Sequence, residues 1–76
     1  MGKVKVGVDY NADADRVITP IRIHWSDGRA WDIDRVLHTC RSPDRSFEGI
    51  RYTVLISGTE KYLYLARNSW YVNTAM

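Results

Sequence analysis

Alternation with a period of two, in short runs separated by turn residues, constrains this chain more than any other feature. Lys3-Val4-Lys5-Val6-Gly7-Val8-Asp9-Tyr10 sets three valines and a tyrosine on one face, with lysine, glycine and aspartate on the other. Successive side chains of a strand point to opposite sides of a sheet, so such a run buries one face and leaves the other to water. Ile21-Arg22-Ile23-His24-Trp25 repeats the pattern, and Trp31-Asp32-Ile33-Asp34 resumes it after Ser26-Asp27-Gly28. The phase breaks at Asp34-Arg35, before Val36-Leu37-His38-Thr39-Cys40, which predicts a β-bulge or a bend there. Ile33, Val36, Leu37 and Cys40 also fall at the spacing of a short amphipathic helix over Asp32 to Cys40. Periodicity alone leaves both readings open, and the β-branched and aromatic flanks favour a bent strand.

The second half continues in the same manner. Ile50-Arg51-Tyr52-Thr53-Val54-Leu55-Ile56 is apolar on both faces toward its end, as a central strand is. Ser57-Gly58-Thr59-Glu60 turns it into Lys61-Tyr62-Leu63-Tyr64-Leu65-Ala66, and Arg67-Asn68-Ser69 turns that into Trp70-Tyr71-Val72-Asn73. These are hairpin-length connections. The expected fold is one all-β domain spanning residues 1–76, a small antiparallel meander barrel of five to six strands, SH3-like or OB-like. Closure of a barrel also removes exposed edges. With 76 residues the chain hides only about 60–65% of the surface its unfolded form exposes, so each large apolar side chain matters.

Charge narrows the function classes. Eleven Lys and Arg against nine Asp and Glu give a formal net charge of +2, a weaker basic bias than dedicated nucleic-acid binders show. Eight of the eleven cations are arginine, which suits phosphate and carboxylate contacts. The single cysteine, Cys40, excludes an internal disulfide and a multi-cysteine zinc site. The opening MGKVKVGV lacks the apolar run of a signal peptide, and no segment approaches the length of a membrane-spanning helix. A cytoplasmic location without membrane contact is expected.

Two tryptophans frame the segment His24-Trp25-Ser26-Asp27-Gly28-Arg29-Ala30-Trp31. Asp-Gly between two alternating runs is a strong hairpin signal. Trp25 and Trp31 then lie in phase with Ile23 and Ile33, so both rings are expected to serve the core. The tail aromatics Tyr62, Tyr64, Trp70 and Tyr71 are the better platform candidates. Tyr62 and Tyr64 share one face and Leu63 and Leu65 the other, so leucines in the core would leave two tyrosines exposed. Aromatics beside Arg51 and Arg67 suit a protein partner, because Tyr, Trp and Arg dominate interface hot spots. They equally suit stacking on single-stranded nucleic acid, with Arg41 and Arg45 of the one long polar loop as further phosphate contacts.

Other constellations carry less. Asp9 to Asp15 places oxygen ligands at alternate positions, but Ala14 stands where a calcium loop needs its turn glycine and Pro20 where it needs glutamate, so a solvated loop is expected. His38 and Cys40 share a strand face, yet with His24 elsewhere they make no metal set, and the expected cofactor is none. No phosphate loop, HExxH or GxSxG motif is present, and Asp32 and Asp34 read as solvated carboxylates. Catalysis also needs a pocket, and a barrel this small is filled by its own side chains. No enzymatic activity is expected.

The order of Trp25-Ser26-Asp27-Gly28-Arg29, Ile33-Asp34-Arg35-Val36, a polar loop, Gly49-Ile50-Arg51-Tyr52-Thr53 and Trp70-Tyr71-Val72 resembles a class of short bacterial all-β proteins without an assigned activity. More loosely, the layout is similar to small β-domains that accompany Y-family translesion DNA polymerases. The resemblance covers about two-thirds of the chain and implies a fold. It carries no functional residue, and the polymerase likeness implies an accessory role in DNA repair. The reading of the residues themselves is a non-catalytic binding module. Its expected partner is another protein or a second copy of the chain, with single-stranded nucleic acid as the alternative. Its surface is expected to comprise Arg51, Tyr62, Tyr64, Arg67 and Tyr71, joined by Arg41 and Arg45 if the ligand is nucleic acid.

Overall fold

The computed structural model describes residues 3–43 and 48–73. Seven antiparallel strands form one sheet that curls into a half-barrel: β1 Lys3–Ala12, β2 Ile18–His24, β3 Ala30–Asp32, β4 Arg35–Arg41, β5 Ile50–Ile56, β6 Thr59–Ala66 and β7 Ser69–Asn73. There is no helix among the described residues. The order across the sheet is β3-β2-β1-β7-β6-β5-β4. Every pairing is therefore between sequence neighbours, except that the first and last strands lie side by side. The two edge strands, β3 and β4, are consecutive in the chain and separated only by Ile33 and Asp34.

That two-residue joint is the bend the broken phase predicts, and the helical alternative over Asp32 to Cys40 does not form. The Ile33 N–H donates to the Ile21 carbonyl at 2.9 Å, and the Asp34 N–H donates to the Leu55 carbonyl at 2.7 Å. One donor thus faces β2 and the next faces β5, tying the two ends of the sheet together. Two register shifts assist the curl, one between Asp9 and Tyr10 of β1 and one between Val36 and His38 of β4. A bulge increases local twist and bends its strand.

Curling lets a single sheet bury its own concave face. Val6, Ile23, Tyr52, Val54, Ile56, Leu63, Trp70 and Val72 form the core, with Val4, Val8, Ile18, Trp25, Trp31, Ile33, Val36 and Leu65 packed around it. Trp70 belongs here and not to a surface platform: its ring lies 5.5 Å from Tyr52 and 5.9 Å from Tyr10. Trp25 and Trp31 meet edge to face at 5.9 Å against this core, and both are half-buried. The Arg29 guanidinium lies 5.4 Å from the Trp31 ring, covering part of what the core does not.

The first hairpin is longer than the alternation suggests. β1 runs on to Ala12 and β2 begins at Ile18, so the aspartate-rich stretch expected as a loop is partly strand. Pro20 sits inside β2 opposite Tyr10, where the register slips, and a bulge is where a ladder tolerates the missing N–H. Asp13 folds the connection by accepting from the Asp15 and Val17 N–H groups at 2.9 and 3.0 Å.

Two turns share one backbone geometry with different residues. In the Trp25–Arg29 turn the Gly28 N–H donates to Trp25 O and the Trp25 N–H to Arg29 O, with Gly28 at φ 93°. In the Asp13–Val17 turn the Arg16 N–H donates to Asp13 O and the Asp13 N–H to Val17 O, with Arg16 at φ 63°. Asp27 is further held by Arg29: the Arg29 backbone N–H donates to its carboxylate at 3.0 Å, and this bond above all keeps the Asp27 carboxyl below its ordinary pKa. The left-handed region suits glycine and costs other residues about 1 kcal/mol or more. Arg16→Gly is therefore expected to raise the unfolding free energy by roughly 0.5–1 kcal/mol, read as a higher urea midpoint at unchanged slope. A lowered midpoint would show that Arg16 holds this turn by side-chain contacts.

Candidate binding face

The convex face follows from the register. Tyr64 of β6 stands opposite both Tyr71 of β7 and Arg51 of β5; Tyr71 stands opposite Lys5 of β1, and Arg51 opposite Cys40 of β4. Cross-strand partners share a face, so Lys5, Tyr71, Tyr64, Arg51 and Cys40 form one row across five strands. A second row lies one step along, with Lys3 opposite Asn73, Tyr62 opposite Thr53, and Thr53 opposite His38. The leucines of β6 point the other way, and Leu63 is completely buried.

Cations lie on the tyrosine rings diagonally between the rows. The Arg51 guanidinium sits 4.3 Å from the centre of the Tyr62 ring, and Lys3 Nζ sits 4.5 Å from the centre of the Tyr64 ring. The two rings meet edge to face at 6.5 Å. Each geometry is within the range of a cation–π or aromatic pair, worth about 0.5–1.5 kcal/mol apiece. The Arg51 Nε is buried and has no hydrogen-bond partner. Arg51 is thus fixed by stacking on Tyr62, with no carboxylate against it among the described residues.

These contacts correct one expectation. Tyr62 is 43% exposed but Tyr64 only 6%, although both point outward. Tyr64 is covered by Lys3, Tyr62 and its flanking strands, so it supports the face and does not present itself to a ligand. Arg51 and Tyr71 are half-buried in the same row. Arg67 lies elsewhere. It occupies the β6–β7 turn, where Arg67 and Asn68 both have positive φ, 51° and 66°, the signature of a two-residue hairpin turn. It is three residues beyond Tyr64, roughly 10 Å along the strand. Arg41 is also off this face: it pairs with Ile50, one position out of phase with Cys40 and Arg51. Arg45 lies outside the described residues.

Lys3 and Lys5 are the members of the face that the sequence reading did not single out. The Lys-Val-Lys-Val alternation is their signal, but only the β1–β7 pairing places them beside the tail tyrosines. The other side of the convex face is different in kind. There Asp9 meets His24 Nε2 at 2.9 Å, and Asp32 meets Arg22 Nε at 2.6 Å, a hydrogen bond that raises the Arg22 pKa further. His24 on β2 is thus engaged with Asp9 and stands apart from His38 and Cys40 on β4. No group of three or more metal-ligating side chains occurs among the described residues. Nor is any helix among them long and apolar enough to cross a membrane.

The fold and face together define a small all-β domain with an aromatic–cationic convex surface. No protein-family model matches the chain, and no curated protein or solved structure matches it either.

Tyr64→Ala should cost about 3 kcal/mol of unfolding free energy in urea titration, as truncation of a buried aromatic does. Tyr62→Ala should cost less than about 1 kcal/mol. Equal costs would contradict the assignment of one ring as support and the other as surface.

Proposed function

We propose that this domain is a non-catalytic binding module that docks a partner protein through the convex face of β5, β6 and β7. The observation that carries the reading is the pair formed by exposed Tyr62 and the Arg51 guanidinium stacked on it at 4.3 Å. An aromatic ring and an arginine already fixed in place lose little side-chain entropy on binding, and such residues dominate interface hot spots. Tyr64 beneath them and Tyr71 beside them make the patch rigid. The partner is a different protein or a second copy of this chain. One free thiol and no disulfide suit a reducing compartment, and the cytoplasm is the proposed location.

A second reading rests on the cations of the same face. Lys3, Lys5 and Arg51 on the rows beside Tyr62 would let a single strand of nucleic acid stack a base on the ring and run its phosphates past the cations. That reading would make the domain an accessory of DNA repair, as the resemblance to polymerase-associated β-domains implies.

Salt separates the two. Amide spectra of the labelled protein are to be recorded with a mixed-sequence single-stranded oligonucleotide, first at low salt and then at about 0.15 M. The partner-protein reading predicts no salt-sensitive shifts at Arg51, Tyr62 or Lys5. It further predicts that a protein retained by the wild-type domain from a lysate at about 0.5 M salt is lost with Tyr62→Ala and kept with Arg67→Ala. Oligonucleotide shifts on that face, abolished by salt, would overturn it in favour of nucleic acid.

A further inference from the structure

The half-barrel has a seam, and the seam has an unused strand edge. β4 pairs with β5 on one side and with no strand on the other, from Arg35 to Arg41, among the described residues. Across the seam β3 covers β2 only from Arg22 to His24, and β2 approaches β4 near the bend without a ladder between them. Strand alternation fixes which β4 groups face the gap. The Ser42 N–H donates to Gly49 O at 2.9 Å, so Cys40 turns its backbone toward β5, and Thr39 and Arg41 turn theirs toward the free edge. Unpaired N–H and C=O groups in a row are a template for another extended backbone.

Exposed apolar side chains lie beside the charged ones at this edge. Leu37, the unpaired residue of the β4 bulge, is exposed, as is Ile21 on the facing strand. Ile50, opposite Arg41, and Tyr10, beside Trp70, extend the exposed apolar surface at this end of the concave face.

Charge selects the occupant. β4 holds Arg35, His38 and Arg41 and no acid, and among the described residues neither arginine has a carboxylate partner. The bulge turns Arg35, opposite Leu55, to the convex side and Arg41, opposite Ile50, to the concave side, so a second copy would bring a further arginine to each face of the same edge, against like charge. An acidic strand meets the same two positions with opposite charge.

We infer that the free edge of β4 is a strand-addition site for an acidic, extended peptide segment of another protein. The site is separate from the convex face and does not depend on the reading given to that face.

Amide hydrogen exchange with synthetic peptides tests this. The probes are an acetylated, otherwise valine- and threonine-based peptide of about eight residues with two glutamates about five positions apart, one on each face, its counterpart with lysine at those two positions, and the glutamate peptide N-methylated at alternate positions. The glutamate peptide is expected to slow exchange at Thr39 and Arg41 at least about tenfold at saturation, and the other two are expected to leave it unchanged. An Arg35→Glu, Arg41→Glu double variant should exchange that preference for the lysine peptide. Tyr62→Ala should bind the glutamate peptide as the wild type does, which separates this site from the convex face. Unchanged exchange at Thr39 and Arg41 would overturn the proposal. So would an equal response to both charged peptides, or a peptide-free dimer with those amides already protected.

Discussion

The bend at Ile33 and Asp34 is the constraint on which the rest of this structure depends. Two consecutive backbone donors reach opposite ends of one sheet, to Ile21 of β2 and to Leu55 of β5. With no helix or second sheet among the described residues, a flat arrangement would leave Val6, Ile23, Leu63 and Val72 facing water. The domain must therefore supply its own second layer by curling. The bulges in β1 and β4 lower the cost of that curvature, and the bend holds it.

Curling also decides what the convex face can be. Side-by-side placement of the first and last strands brings Lys3 and Lys5 to Tyr71 and Tyr64, while Arg51 arrives from β5. The result is a surface of two halves. On the β2–β3 side Arg22 pairs with Asp32 and His24 hydrogen-bonds Asp9 at exposed positions, where each contact contributes little to stability. On β5, β6 and β7 the Arg51 cation lies on an aromatic ring instead, so its positive charge remains available to a ligand. The same bend leaves the far edge of β4 without a strand, because β3 ends before the seam is covered.

Much of the fold was legible in the sequence, and the reasons are local. Alternation marked the strands, Asp27-Gly28 marked a hairpin, and the phase break at Asp34-Arg35 marked the bend. Ser57-Gly58 and Arg67-Asn68 marked two tight turns, each with both central residues at positive φ. What was not legible depends on pairing between distant segments. Burial of the outward-pointing Tyr64 requires Lys3, some sixty residues earlier in the chain, and nothing in the pattern of β6 announces it. Pro20 within β2 is readable only once the slip at Tyr10 is known. Arg41 could not be assigned to a face because the bulge at Leu37 resets the phase of β4. For the candidate site, Arg51, Tyr62 and Tyr71 fall together as expected, Arg67 falls in a turn, and Arg41 faces the opposite way.

Native-state hydrogen exchange at Ile33 and Asp34 tests the central claim most directly. If the bend holds the curled sheet together, both amides should exchange only through global unfolding, with the same opening free energy as Leu63 and Val54 in the core strands. Exchange at a much lower opening free energy, with the core amides still protected, would contradict the account. It would mean that the sheet keeps its curl without the bend.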